Sequence, residues 1–227
     1  MLYTGDADGL GETRKRELAK SGITLGLRKE DDVFVVDSPD FRDGMNETWS
    51  PDKISSLLCS AFAPGLARAR SAPDADSTPV AASIDVLVTF DAGGVSSHPN
   101  HISLYHGARS FVAALVAGKP GWKPPVDLYT LTSVSFIRKY TGILDVFATL
   151  GSWAFWSGVM RSGGDKSRPR SMVFLNTLVP GGGSATTAWR AMISAHKSQM
   201  VWFRYGWITL SRYMYMNDLV LEKIKGR

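Results

Sequence analysis

Ile84-Asp-Val-Leu-Val-Thr-Phe90, followed at once by Asp91-Ala-Gly-Gly-Val-Ser-Ser-His98-Pro-Asn-His101, is the stretch on which the fold turns. A short apolar run rich in β-branched residues that stops abruptly at an aspartate and two glycines is how a buried parallel strand ends. Pro99 then opens a helix carrying Leu104, Ala108, Phe111, Val112, Leu115 and Val116 at three- and four-residue spacings, until Gly118 and Pro120 stop it. A second strand follows over Val126 to Val134. This rhythm of strand, turn, helix and strand predicts an α/β fold. The expected core is a mostly parallel, Rossmann-like sheet with helices on both faces and function at the carboxyl ends of its strands.

Toward the N-terminus, Leu18, Ala19, Ile23, Leu25 and Leu27 give a helix-like apolar face over about residues 12–25, and Val33-Phe-Val-Val36 reads as a strand. Asp37 to Asn46 is a loop rich in Asp, Pro and Gly. Ser50-Pro51 supplies the favoured cap and first-turn residue of a helix running to about Phe62. Residues 65–82 are dominated by Ala, Ser, Pro, Asp and Arg, which cannot build a core face, so they read as a surface insertion. A second insertion spans about residues 158–186 and holds one candidate strand, Met172 to Asn176. Residues 187–217, rich in Trp, Tyr and Met, read as two helices or one bent helix. No internal repeat is visible, and the expectation is one domain over residues 1–227.

Composition narrows the classes. Hydrophobic residues at 44% and charged residues at 21% of 227 are globular values. The net charge of +5 permits attraction to phosphate, but the basic residues are scattered among acids, so nucleic acid is not the expected partner. The single cysteine, Cys59, excludes an intramolecular disulfide framework and a thiolate metal cluster. No apolar stretch is long enough to read as a membrane span, and no signal-peptide pattern opens the chain.

The chemistry-bearing segment is the one quoted first. His98 and His101 sit three residues apart at a helix start, where imidazoles share neighbouring faces of the first turn. With Asp91 at the strand's end, they form a group able to hold a metal and a reacting oxygen. Two other patterns are weaker. Asp6, Asp8, Gly11 and Glu17 fall on some positions of a calcium loop, but Leu10 and Arg14 occupy two of the remaining ones. Gly5 and Gly9 lack the acidic ribose partner of a nucleotide loop. The run Trp202, Phe203, Arg204, Trp207, Arg212, Tyr213 and Tyr215 is open to two readings, a helix packed on the core or a face that settles on a bilayer. The bilayer reading requires Trp202, Arg204, Trp207 and Arg212 to be partly exposed.

Taken in order, Thr4-Gly-Asp-Ala-Asp-Gly-Leu-Gly11 with Arg14 and Glu17, Asp40-Phe-Arg-Asp-Gly-Met45, Val88 through His101, Arg138-Lys-Tyr140, Ala195-His-Lys-Ser-Gln-Met-Val-Trp-Phe-Arg204 and Ser211-Arg-Tyr-Met214 resemble the PIG-L or LmbE-like zinc de-N-acetylase family. The resemblance covers nearly the whole chain. It is strongest to the eukaryotic branch acting on N-acetylglucosaminyl-phosphatidylinositol, the early glycolipid of GPI-anchor biosynthesis at the cytosolic face of the endoplasmic reticulum membrane. It implies zinc as cofactor with His101 as a ligand, and His98 as the catalytic group that stabilises the oxyanion. It also implies that Arg14, Asp43 and His196 contact the substrate, and that a glycolipid and a membrane surface are the partners.

The family's Ala-His-Pro-Asp-Asp-Glu motif, which supplies two zinc ligands and the general base, does not occur in this sequence. Leu2-Tyr-Thr4 reads as the end of a strand, so the expectation is an N-terminally incomplete domain, lacking its first strand and first metal motif and inactive by itself. The alternatives are a non-catalytic remnant and a deacetylase of another N-acetylglucosaminyl substrate.

Overall fold

A computed structural model describes residues 10–66, 80–159 and 168–225. Its regular elements, in chain order, are α1 (Gly11–Thr24), α2 (Pro51–Phe62), β1 (Val86–Phe90), α3 (Pro99–Leu115), β2 (Asp127–Leu131), α4 (Phe136–Lys139), α5 (Leu144–Val159), β3 (Ser171–Leu175), α6 (Ala185–Arg190), α7 (Trp202–Leu210) and β4 (Met216–Leu221). The chain divides into two compact units. One comprises Met1–Asp43, Val134–Gly163 and Val173–Asn217; the other comprises Gly44–Ser133, Gly164–Met172 and Asp218–Arg227.

The unit holding β1 is organised as the sequence predicts. Ser50 caps α2 by accepting from the Lys53 N–H at 3.4 Å, with Pro51 in the first turn. One face of α3 delivers Ala108, Phe111, Val112 and Leu115 to a core completed by Ala63, Leu66, Val80, Val126 and Leu128. Phe111 is fully enclosed, a burial that contributes about 1.5–3 kcal/mol. Leu66 and Val80 lie inside the 65–82 segment and are core residues, so the ends of that segment are not surface insertion. Its residues 67–79 lie outside those described, as do 160–167 of the second insertion and the glycine- and aspartate-bearing residues 1–9. α2 and α3 approach closely at Gly107, where a Cβ would stand 2.4 Å from Cβ and Cγ2 of Ile54.

β1 and β2 pair in parallel, in register from Val86 with Asp127 to Phe90 with Leu131. The sheet order is β1-β2-β4-β3. The α/β class is the one expected, but the sheet, expected to be mostly parallel, is mixed: β4 runs antiparallel to β2, placing Tyr129 opposite Leu221 and Leu131 opposite Leu219. β3 answers the candidate strand at 172–176, shifted by one residue.

In the other unit, α1 fulfils the predicted first helix and buries Ser21, whose hydroxyl donates to the Ala191 carbonyl at 3.3 Å. Val33 to Val36 does not form a strand. Val36 makes an isolated bridge and Phe34 is exposed, so β-forming residue types alone do not set a ladder here. Residues 187–217 are more broken than two helices. After α6 the backbone widens into a π turn, Ala191–Ala195, tightens into a 3-10 turn, Lys197–Gln199, and resumes as α7.

Candidate functional site

At the carboxyl end of β1 a single carboxylate organises the loop that carries the histidines. Asp91 Oδ1 accepts from the Gly93 and Gly94 N–H groups at 3.0 and 3.1 Å and from the Ser133 hydroxyl at 2.5 Å. Its Oδ2 accepts from the Ser133 N–H at 2.6 Å. Ser133 Oγ in turn accepts from the Val95 N–H at 2.8 Å. The ends of the two parallel strands are thereby stapled. The staple also holds a backbone that otherwise resists its shape, since Gly94, Val95 and Ser97 all take positive φ, at 58°, 62° and 57°. At Gly94 a side chain would also collide, its Cβ falling 2.9 Å from Ile102 Cγ1. Both carboxylate oxygens of Asp91 serve the loop, so this residue is a positioning group and not a third arm beside the histidines.

His98 is the N-cap of α3: its Nδ1 accepts from the Asn100 N–H at 3.3 Å. An accepting Nδ1 bears the lone pair, so in the neutral ring the proton sits on Nε2. His101 is the opposite. Its Nδ1 lies 3.0 Å from the Gly94 carbonyl, which can only accept, so Nδ1 carries the proton and the lone pair falls on Nε2. The rings stack with centroids 4.9 Å apart, and His101 lies flat against Phe90 at 3.8 Å. Two adjacent imidazoles therefore present one Nε2–H donor and one Nε2 lone pair. Asn100, almost fully buried, fixes this start of α3 by donating from Nδ2 to the Glu47 carbonyl at 2.9 Å and accepting from the Gly44 N–H at 3.2 Å.

Arg14, Asp43 and His196 belong to the other unit. There Glu17 of α1 accepts from the Ser198 N–H at 2.8 Å and from its hydroxyl at 2.5 Å, tying the 3-10 turn after His196 to α1. His196 lies just past the π turn, a distortion frequent at functional positions. Its Nδ1 is buried with no hydrogen-bond partner among the described residues. Burial holds its pKa below the ordinary histidine value, and the Glu17 charge opposes this less strongly.

The aromatic run divides. Trp202, Arg204 and Trp207 are exposed on α7, as the bilayer reading requires. Arg212 contradicts it, being 0% exposed. Its Nε stands 2.7 Å from Asp145 Oδ2, an ion pair by distance, although the N–H does not point along the line of a hydrogen bond. Asp145 also accepts from Arg138 Nε at 2.6 Å and Nη2 at 3.0 Å, and Thr149 Oγ1 donates to it at 3.1 Å. A guanidinium can enter a core when a carboxylate enters with it, which a tally of charged residues in the sequence does not show. The lone acid in the otherwise uncharged run from Leu144 to Val159 was the available signal.

A hydrolytic zinc is implied by the resemblance, and His101, with its lone pair on Nε2, has the right donor chemistry for one ligand. Among the described residues, however, no three His, Cys, Asp or Glu side chains converge to hold a metal. They supply one ligand and do not complete a site.

No family model matches the chain, and no solved structure matches it. Curated proteins do. An N-acetylglucosaminyl-phosphatidylinositol de-N-acetylase of Arthroderma benhamiae is 47% identical over 99% of this chain and 71% of its own length. A probable protein of the same name from Schizosaccharomyces pombe is 34% identical over 96% of this chain and 71% of its own. The Bos taurus protein of that name is 31% identical over 92% of this chain and 65% of its own. With relatives this similar matched along nearly all of its length, the chain belongs to the N-acetylglucosaminyl-phosphatidylinositol de-N-acetylase family.

Proposed function

We propose that this protein hydrolyses the N-acetyl group of N-acetylglucosaminyl-phosphatidylinositol in GPI-anchor biosynthesis, with zinc as cofactor, at the cytosolic face of the endoplasmic reticulum membrane. The observation that carries the reading is the pair of stacked imidazoles whose Nδ1 atoms meet opposite partners, a backbone N–H at His98 and a carbonyl at His101, in a chain whose curated relatives bear that name. Water adds to the acetyl carbonyl, the C–N bond breaks, acetate leaves and the sugar amine takes up a proton. His98 Nε2–H stands at the N-terminus of α3, where the helix dipole favours negative charge, and it donates to the carbonyl oxygen as that oxygen becomes an oxyanion. The same proton is available to the departing amine. His101 would hold zinc through Nε2, and a bound zinc would lower the pKa of water and polarise carbonyls. Asp91 and Ser133 keep both rings in place. Arg14, Asp43 and His196 are proposed sugar contacts on the strength of the resemblance, a guanidinium and a carboxylate being suited to sugar hydroxyls.

The test is to express the natural gene product in cells deficient in this deacetylation and follow labelled N-acetylglucosaminyl-phosphatidylinositol in their membranes. Glucosaminyl-phosphatidylinositol should form. His98→Ala should slow its formation by about 10²- to 10⁴-fold while bound zinc is retained. Absence of product with the natural protein, or loss of zinc in the His98 variant, would overturn the assignment.

A further inference from the structure

α5 is built inside out. Its buried side carries Asp145, 2% exposed, and Thr149, 7% exposed, while its outward side carries Leu144 at 64%, Phe147 at 72% and Phe155 at 68%. Ala148 and Gly151 are exposed between them. Positions 144, 147, 148, 151 and 155 follow the spacing of one helix face, so the apolar stripe is continuous and points away from the protein. A helix lining a water-facing surface has the reverse polarity.

Exposed apolar residues also lie on other elements of the same unit. Phe136 and Ile137 of α4 are exposed, and Tyr140 lies against Phe136 at 4.9 Å and against Trp207 of α7 at 6.4 Å. Phe203 packs on Trp207 at 4.9 Å, and Trp202 on Phe203 at 5.8 Å. Gly142 closes the gap beneath, where a Cβ would meet the Leu210 carbonyl at 3.5 Å. Patches of this extent mark interaction surfaces. The charge is one-sided. α4, α5 and α7 contain a single acid, Asp145, and it is buried beneath Arg138 and Arg212, whereas Lys139 and the exposed Arg204 lie among the aromatics.

We propose that α4, α5 and α7 form one face that settles into the headgroup and acyl boundary of an anionic, phosphatidylinositol-containing bilayer, with α5 in the membrane plane. This rests on the functional reading above, in which the substrate is a membrane lipid. Apolar stripe, aromatic rim and cations without exposed acids match such an interface, where Trp and Tyr sit at headgroup level and basic side chains meet lipid phosphate. A second copy fits less well, since two such faces would bring like charges together. The 16 described residues of α5 reach about 24 Å at 1.5 Å per residue, short of a hydrocarbon core of about 30 Å. Among the described residues no helix is long and apolar enough to cross a membrane. Buried Asp145 and Arg212, with the half-exposed Arg138, fix α4, α5 and the turn after α7 to one another, so the face is preorganised.

The experiment is co-sedimentation of the protein with phosphatidylcholine vesicles, with and without phosphatidylinositol. The Leu144→Gln/Phe147→Gln double variant is compared with the unaltered protein, its fold checked by circular dichroism. Binding of the double variant should be weaker by about tenfold or more, and Arg204→Glu should remove only the preference for phosphatidylinositol. Should the double variant not fold, Phe136→Gln/Ile137→Gln makes the same test from α4. Deacetylation of a soluble N-acetylglucosaminyl-inositol should be unchanged while that of the lipid in vesicles falls. Equal vesicle binding by variant and unaltered protein would overturn the proposal, as would a dimer that becomes a monomer with vesicle binding retained. Failure of the unaltered protein on both substrates would refute the functional reading alone, because the binding comparison is read without turnover.

Discussion

Removing the Asp145 carboxylate should be among the most damaging single changes available to this protein. The residue is 2% exposed and its partner Arg212 is 0% exposed, with Nε 2.7 Å from Oδ2. At that separation and an effective dielectric of about 20 the attraction is about 6 kcal/mol, most of it offsetting the desolvation of the two ions. The variant loses the attraction and keeps the desolvated guanidinium, so Asp145→Ala should cost about 3–5 kcal/mol. For a chain of this size that is a fall in Tm of about 6–20 °C. Arg212→Met should cost less, because Asp145 keeps Arg138 at 2.6 and 3.0 Å and the Thr149 hydroxyl at 3.1 Å. An Asp145→Leu/Arg212→Met double variant should regain most of the loss, since apolar replacement of a whole buried pair is often neutral. Urea unfolding followed by intrinsic tryptophan fluorescence gives the midpoint and slope for each variant. The reasoning is refuted if Asp145→Ala unfolds within about 1 kcal/mol of the unaltered protein, or if Arg212→Met proves the worse of the two.

Gly107→Ala should force α2 and α3 apart, because the new Cβ meets Cβ and Cγ2 of Ile54 at 2.4 Å; a loss of about 1–3 kcal/mol is expected in urea unfolding, and Ile54→Val, which keeps both of those atoms, should not restore it. His196 should make stability depend on pH. Its folded pKa lies below the unfolded value of 6.5, so the unfolded state binds more protons between the two. Its contribution is complete above about pH 6.5 and is lost as pH falls through the depressed value. His196→Gln should flatten that part of the profile, and an unchanged profile would mean that burial of this imidazole is not what acidification opposes.

Local signals carried furthest where chain and tertiary structure agree. The β-branched run ending at Asp91, the Ser50-Pro51 cap and the start of α3 at Pro99 were all legible, because each fixes its backbone with neighbouring residues. α5 was not seen as an element, for its apolar side faces outward and its polar side inward, so an apolar periodicity gives the wrong inside. Val33 to Val36 shows the complementary limit: β-forming residue types are a local preference, whereas strand pairing is a long-range property they do not specify. At the candidate site, the two histidines could be read from their spacing at a helix start. The function of Asp91 could not, because it depends on Ser133, 42 residues away in sequence. The burial of Arg212 was hidden similarly, since a charged side chain reads as exposed until its counter-charge is located.

The capping bond of His98 gives one nitrogen to the folding of α3, and in the proposed reaction the other is the proton donor. The two duties are coupled through the ring, because the atom that accepts from Asn100 decides where the proton resides. Asparagine or serine at this position could still begin the helix, yet neither offers an ionisable donor on its far side. A lysine would bring a proton and could accept nothing from the backbone. If the proposed role holds, residue 98 answers to two unrelated demands that intersect at imidazole. The residue would be retained in a descendant that had abandoned catalysis for longer than its chemistry alone would explain.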